Sequence, residues 1–205
     1  MQTEGINYIR SRTKMNLLMV LINIAVFLII TIMGGDTLDA EQMLSYGAMY
    51  PPYVTQKGEY YRLFTCMFLH FGWQHLFYNM LLLWFAGDML EERSGPVRYL
   101  VIYLAGGVAG NVLSFLTGME RQVVSAGASG AVFAVIGALV WLVVKNRGKV
   151  EGIDNRGLCM MAVLSLAQGF MDAGVDHMAH LGGFIGGFLL AAVLRTPSAV
   201  RRKDR

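Results

Sequence analysis

The chain has 205 residues, 55% of them hydrophobic and only 15% charged, with a mean hydropathy of +0.49 and a formal net charge of +3. This balance excludes an ordinary soluble domain, in which about a quarter of the residues are charged. It predicts an all-α polytopic membrane protein with a polar site inside it, a lipid bilayer for its surroundings and no nucleic-acid partner.

The first apolar segment, 15–33, follows Arg10, Arg12 and Lys14. It outruns the roughly 7–15 residue core of a signal peptide, and no small-residue cleavage site precedes Asp36, so it is expected to be a retained helix. The stretch 34–70 carries Pro51-Pro52, five tyrosines and alternating apolar and polar residues. Irregular backbone at bilayer depth must be covered by protein or water, so an element resting in the outer membrane surface is expected there. Five further apolar segments follow at 71–90, 97–117, 129–144, 157–171 and 177–194. Most are long enough to cross a hydrocarbon core of about 30 Å as helices. The expected architecture is a six-transmembrane-helix bundle over 15–195, between a cytoplasmic segment 1–14 and a basic cytoplasmic tail 196–205. Lys and Arg are retained on the cytoplasmic side. They cluster before the first segment, between the second and third, between the fourth and fifth, and after the last. Both termini are therefore expected to be cytoplasmic, in a cell (plasma) membrane, with the second, fourth and sixth helices starting at the outer face.

All four histidines, His70, His75, His177 and His180, lie at or just before the starts of the second and sixth segments, and the fourth opens with Gly127-Ala128-Ser129-Gly130. Counting up at 1.5 Å per residue puts Ser129 roughly 24 Å above Lys145, His180 roughly 22 Å above Arg195 and His75 roughly 24 Å above Glu91. Taken alone, the Gly-Ala-Ser-Gly string reads as a small-residue helix contact, with Ser125 or Ser129 capping the helix. A histidine in a membrane segment is rare, costly and usually functional. Gly183 and Gly187 follow His180 at helical spacing and let a neighbouring helix approach. A serine and a histidine at one depth on two close helices make a nucleophile and its general base. His75 and Asn79 share a helix face. Both can donate to a developing oxyanion, as can the Ser129 backbone N–H near its helix N-terminus.

Glu59-Tyr-Tyr-Arg62-Leu-Phe-Thr65, His70-x4-His75-x3-Asn79, Gly127-Ala-Ser129-Gly130 and Ala179-His180-x2-Gly183-x3-Gly187, in this order, resemble a rhomboid intramembrane serine protease of the bacterial six-span kind. The resemblance implies Ser129 as nucleophile and His180 as base and then acid. It makes His75 and Asn79 oxyanion partners and Gly127 the close-approach residue before the nucleophile, with no obligatory acidic third member. It also implies that Arg62 braces the outer loop through backbone carbonyls; a membrane-surface anchor is the other reading. Two positions depart from the family. Tyr61 stands where a tryptophan often precedes the loop arginine, and Phe133 stands where a tyrosine is common. Phe133 can still stack on His180 but has no hydroxyl. The function implied is cleavage of transmembrane or juxtamembrane segments of single-span or other membrane proteins, with no cofactor and no metal. A catalytically dead relative that binds membrane clients is a second reading, and a transporter or metal-handling protein using the histidines is a third.

The remaining polar residues are read more simply. His70 is a loop or rim residue, or a direct participant. His177 lines the water entry or assists the oxyanion site. Asp176 is a solvated loop charge or an acid orienting His180. Asp88, Glu91, Glu92 and Arg93 form the charged inner end of the second helix. Asn23, Asn111, Ser114, Ser165 and Gln168 are interhelical contacts. Cys66 and Cys159 fall near opposite faces and cannot bridge. The fifth segment spans only roughly 22 Å, and its outer half, with Leu166 and Phe170, is expected to gate substrate entry.

Overall fold

The structure, a computed structural model, describes residues 14–120, 122–148 and 176–196. The expected fifth helix 157–171, its gate and Cys159 lie outside the described residues. Five long helices occur among them: α1 (Lys14–Ile32), α5 (Gly72–Ser94), α6 (Pro96–Thr117), α7 (Ser129–Lys145) and α8 (His177–Val193). Each falls on one of the apolar segments read from the sequence. The stretch between α1 and α5 folds into three short helices, α2 (Ala40–Ser45), α3 (Pro51–Lys57) and α4 (Arg62–Thr65), followed by a 3-10 turn, Cys66–Phe68. Apart from one isolated bridge between Met49 and Ser125, the described residues contain no β structure.

By length and composition, α1 and α6 could each cross a membrane, and α7 and α8 are shorter apolar helices. The longer α5 is diluted by Gln74, His75, Asn79 and Asp88. The turn between α5 and α6 follows from two adjacent residues. Gly95 ends α5 with a left-handed φ of 79°, and Pro96 starts α6, where its missing N–H is no loss.

Apolar on every side, α7 is a core helix. Residues from Gly130 to Leu139, with Leu142 and Val143, are all buried. Its neighbours α6 and α8 approach through small residues. A methyl group at Gly183 would run into the Gly130 carbonyl oxygen, one at Gly187 into the Ala134 carbonyl, and one at Gly137 into the Phe184 carbonyl. On α6, Gly106 and Gly107 face Ala134 and Ala131. Lipid offers no hydrophobic force between helices, so packing of this kind, backbone against backbone, is what holds membrane helices together.

At the C-terminal end of α5, where a charged helix end was expected, Glu91 and Arg93 are buried. The Glu91 carboxylate accepts from the first N–H groups of α1, Met15 at 3.2 Å and Asn16 at 2.6 Å. A helix N-terminus leaves such donors unpaired and carries partial positive charge, so an acid from the next helix satisfies both needs. The Asn16 amide donates to Asp88 at 2.7 Å, and the Tyr99 hydroxyl donates to Asn16 at 2.6 Å. Asn23 donates to the Tyr103 hydroxyl at 3.1 Å. Charge at the end of α5 thus fastens α1 to it, and Tyr99 and Tyr103 join α6 to α1 through Asn16 and Asn23.

Glu91→Ala should lower stability by about 2–3 kcal/mol, the range for charged hydrogen bonds at a site where donors are left buried. Denaturant unfolding in detergent micelles measures it. Activity per folded molecule should stay near wild type, since Glu91 lies at the opposite end of α5 from His75.

Candidate active site

Ser129 opens α7, preceded by a segment that the stretch between α1 and α5 holds in place. The backbones of Met49 and Ser125 exchange two hydrogen bonds of 2.9 Å. The Gly127 N–H donates to the Cys66 carbonyl at 2.9 Å, and the Ala128 N–H donates to His70 Nε2 at 3.3 Å. No side chain caps α7, so neither Ser125 nor Ser129 serves the capping role that the string alone suggested. The first-turn N–H groups, beginning with that of Ser129, have no acceptor within the helix and carry its positive dipole end.

Gly127 has a φ of +145°, a left-handed conformation that L side chains rarely adopt. A Cβ there would sit 2.8 Å from His75 Cε1 and 2.9 Å from Nε2, and 3.7 Å from Ser129 Oγ. The missing side chain therefore leaves one small volume bounded by the serine hydroxyl and the His75 ring. Asn79 is buried one turn below, where its amide donates to the His75 carbonyl at 2.9 Å. One amide proton is committed to its own helix and the second remains for another acceptor.

On α8, His180 is buried and lies flat on Phe133, with ring centroids 4.3 Å apart and planes at 24°. Phe133 is one helical turn from Ser129, and the contact of Gly183 with Gly130 brings the two backbones together beside it. Among the described residues the buried His180 Nδ1 has no hydrogen-bond partner.

Asp176 is neither a free loop charge nor hydrogen-bonded to the His180 ring. It is the N-cap of α8, accepting from the Ala179 N–H at 3.0 Å, and its other oxygen accepts from the Ser114 hydroxyl at 2.6 Å. His177, half-buried, stands in the first turn of α8. Asp176, Cys66, Asn111 and Ser125 line a narrow cleft with Ser129 and Gly127. Cys66 is the other candidate nucleophile there, but burial, with the Asp176 charge second, pushes its thiol up to about 12. It stays protonated at neutral pH and accepts from the Asn111 amide at 3.1 Å.

Arg62 is buried. One guanidinium nitrogen donates to the carbonyls of Leu44 and Ala48, both at 2.8 Å, and Nε donates to Glu59 at 2.5 Å. Its hydrogen bond holds the Glu59 carboxyl below the usual range. Thr65 donates to the Gly47 carbonyl at 2.7 Å. Met49, which pairs with Ser125, follows directly on Ala48, one of the two residues whose carbonyls Arg62 holds.

Two links escape a reading of the sequence alone. The bridge from Met49 to Ser125 and the Cys66 carbonyl bond use backbone atoms, which leave no side-chain signature. The capping role of Asp176, in contrast, has one: an aspartate immediately before an apolar helix is a start signal.

The sequence pattern of the Rhomboid domain matches residues 57–197. The chain is 35% identical over 198 residues to "Rhomboid protease GluP" of Bacillus subtilis (strain 168), an alignment covering 97% of this chain and 38% of GluP. It is 39% identical over 168 residues to "RHOMBOID-like protein 1" of Arabidopsis thaliana, covering 79% of this chain and 41% of the relative. "Putative rhomboid protease YdcA" of B. subtilis is 30% identical over 148 residues, with 72% of this chain and 71% of the relative covered. The chain thus spans well under half of GluP and of the plant protein.

Arg62→Lys should loosen the stretch between α1 and α5, because a point charge cannot replace the guanidinium fork. We expect a stability loss of about 1–3 kcal/mol and faster limited proteolysis within 44–65, read by mass spectrometry of the fragments.

Proposed function

We propose that this chain, which belongs to the rhomboid family and has the family's all-α membrane fold, is an intramembrane serine endopeptidase working through Ser129 and His180. The observation that carries this reading is His180 lying flat on Phe133, one turn from Ser129, with the two helix backbones in contact. The proposed bundle has six spans, with 157–171 as the fifth, both termini cytoplasmic in a plasma membrane and the site toward the outer face. The substrates proposed are single-span or other membrane proteins, cut in or beside their transmembrane segments.

In the reaction, Ser129 Oγ attacks the scissile carbonyl carbon while its proton passes to the imidazole of His180. His180 Nδ1 is buried without a hydrogen-bond partner among the described residues, and we assign Nε2 as the base. The resulting oxyanion lies in the volume beside Gly127, within reach of the Ser129 N–H and the His75 ring, with Asn79 supporting His75 from the same helix face. As the C–N bond breaks, His180 returns its proton to the leaving amine. Water then attacks the acyl-serine, giving its proton to His180, and collapse frees the acid product and the Ser129 hydroxyl. Phe133 presents its ring face to His180, and a π-face stabilises the imidazolium that exists between these transfers.

Ser129→Ala and His180→Ala should each abolish cleavage of co-expressed tagged single-span proteins, since members of a catalytic unit fail together. A fluorophosphonate probe should label wild type at Ser129. Substantial cleavage by either purified variant would remove the dyad assignment. Asp176→Asn should keep most activity, because Asn caps a helix about as well as Asp; a loss matching that of Ser129→Ala would instead make Asp176 a triad acid.

Replacing His75 and Asn79 together by alanine should lower kcat, by no more than the roughly 100- to 1000-fold seen on removing a single oxyanion donor, since the Ser129 N–H remains. Wild-type turnover in the double variant would leave the pair a packing role only.

A further inference from the structure

His70 takes no part in the proposed reaction, yet at 1% exposure it is the most deeply buried of the four histidines. It stands in the extended turn between the 3-10 turn and α5, and it touches both sides of the volume beside Gly127. Its Nε2 accepts the Ala128 N–H at 3.3 Å. Its ring meets that of His75 edge to face, with centroids 5.3 Å apart and planes at 70°.

A ring nitrogen that accepts carries no proton, so the neutral imidazole must hold its proton on Nδ1. The environment enforces neutrality. Burial, with His75 as a second cause, pulls the His70 pKa down to about 3.

The backbone donors then sort themselves. Gly127 gives its N–H to Cys66 and Ala128 gives its N–H to His70, so the Ser129 N–H is the first in the run with no acceptor in its own helix. Without an acceptor at His70, the peptide plane between Gly127 and Ala128 loses the hydrogen bond that its N–H makes, and the nearest remaining anchor is the Gly127 N–H one plane earlier. That plane sits beside a glycine in a left-handed conformation and directly ahead of the nucleophile. We propose that His70 is a positioning residue, which fixes the Ser129 N–H and the His75 ring relative to one another by binding the Ala128 N–H and abutting His75. This rests on the serine-protease reading. Misplacement by about 1 Å costs on the order of 100-fold in such sites.

The test compares two substitutions of His70 in the full chain, purified in detergent. In His70→Gln the side-chain oxygen can occupy the place of Nε2, whereas His70→Phe keeps a ring against His75 and has no acceptor. Each is assayed for thermal unfolding, for the rate of fluorophosphonate labelling at Ser129, and for kcat and KM on a tagged single-span substrate. We expect His70→Phe to lose about 10- to 100-fold in kcat and in labelling rate, with KM within about 3-fold, and His70→Gln to stay within about 5-fold of wild type. Wild-type kcat in His70→Phe, failure of Gln to rescue, a failure of His70→Phe to fold, or losses in both variants that merely track the folded fraction would each overturn the proposal. A wild-type chain that neither labels at Ser129 nor cleaves would instead sink the protease reading itself.

Discussion

The distance between α7 and α8 is set by backbone meeting backbone, and the rest of the site depends on it. Gly183 lies against the Gly130 carbonyl and Gly187 against the Ala134 carbonyl, with no side chain between. Any residue larger than glycine at either position would drive its Cβ into the facing carbonyl, and the helices would have to move apart. His180 precedes Gly183 by one turn, and Ser129 immediately precedes Gly130. The spacing that packs the helices therefore also sets the separation of the proposed nucleophile and base. Phe133, one turn into α7, then fixes the plane of the His180 ring within that separation.

Polar bonds hold what packing cannot. The segment before Ser129 has few large side chains, so its path is fixed by hydrogen bonds from its backbone to the loop between α1 and α5 at Met49, Cys66 and His70. That loop is in turn braced by Arg62 and Thr65 and tied to α6 through the Asn111 amide, which donates to the Leu63 carbonyl at 2.8 Å. A chain of polar contacts thus leads from Arg62 to the start of α7. In a low-dielectric interior each of these groups would be costly if left unpaired, which explains how a short stretch of small residues keeps a single conformation there.

Much of the long-helix pattern was legible because lipid-scale helices need long apolar runs, and the five described ones fall where hydropathy put them. The candidate residues were legible for the complementary reason: a histidine or a Gly-Ala-Ser-Gly string inside such a run is conspicuous. The charged end of α5 was legible at Glu91 and Arg93 but its partner was not, because the first N–H groups of α1 that Glu91 accepts from are backbone atoms distant in sequence. The three short helices α2, α3 and α4 had only a compositional signal, since a one- or two-turn helix gives too few residues for a period to show. His70 was ambiguous for a different reason. Its partner is a backbone N–H that is distant in sequence, and no residue pattern records such a bond.

The bonding of Asp176 bears on why a serine and a histidine would suffice without an acid. A carboxylate beside His180 would have to remain charged in a region of low dielectric, where desolvation is compensated only by strong hydrogen bonds. Asp176 has such bonds, to the Ala179 N–H and the Ser114 hydroxyl, but they hold both its oxygens at the start of α8 rather than at the histidine ring. Orientation of the imidazole, the task of the acid in a triad, falls instead to Phe133 stacking on one face. A stacked ring carries no charge to bury and makes no hydrogen bond to satisfy. It holds the plane of His180 while leaving the basicity of the imidazole to its surroundings, a division of labour that suits the base proposed for a site buried among apolar helices.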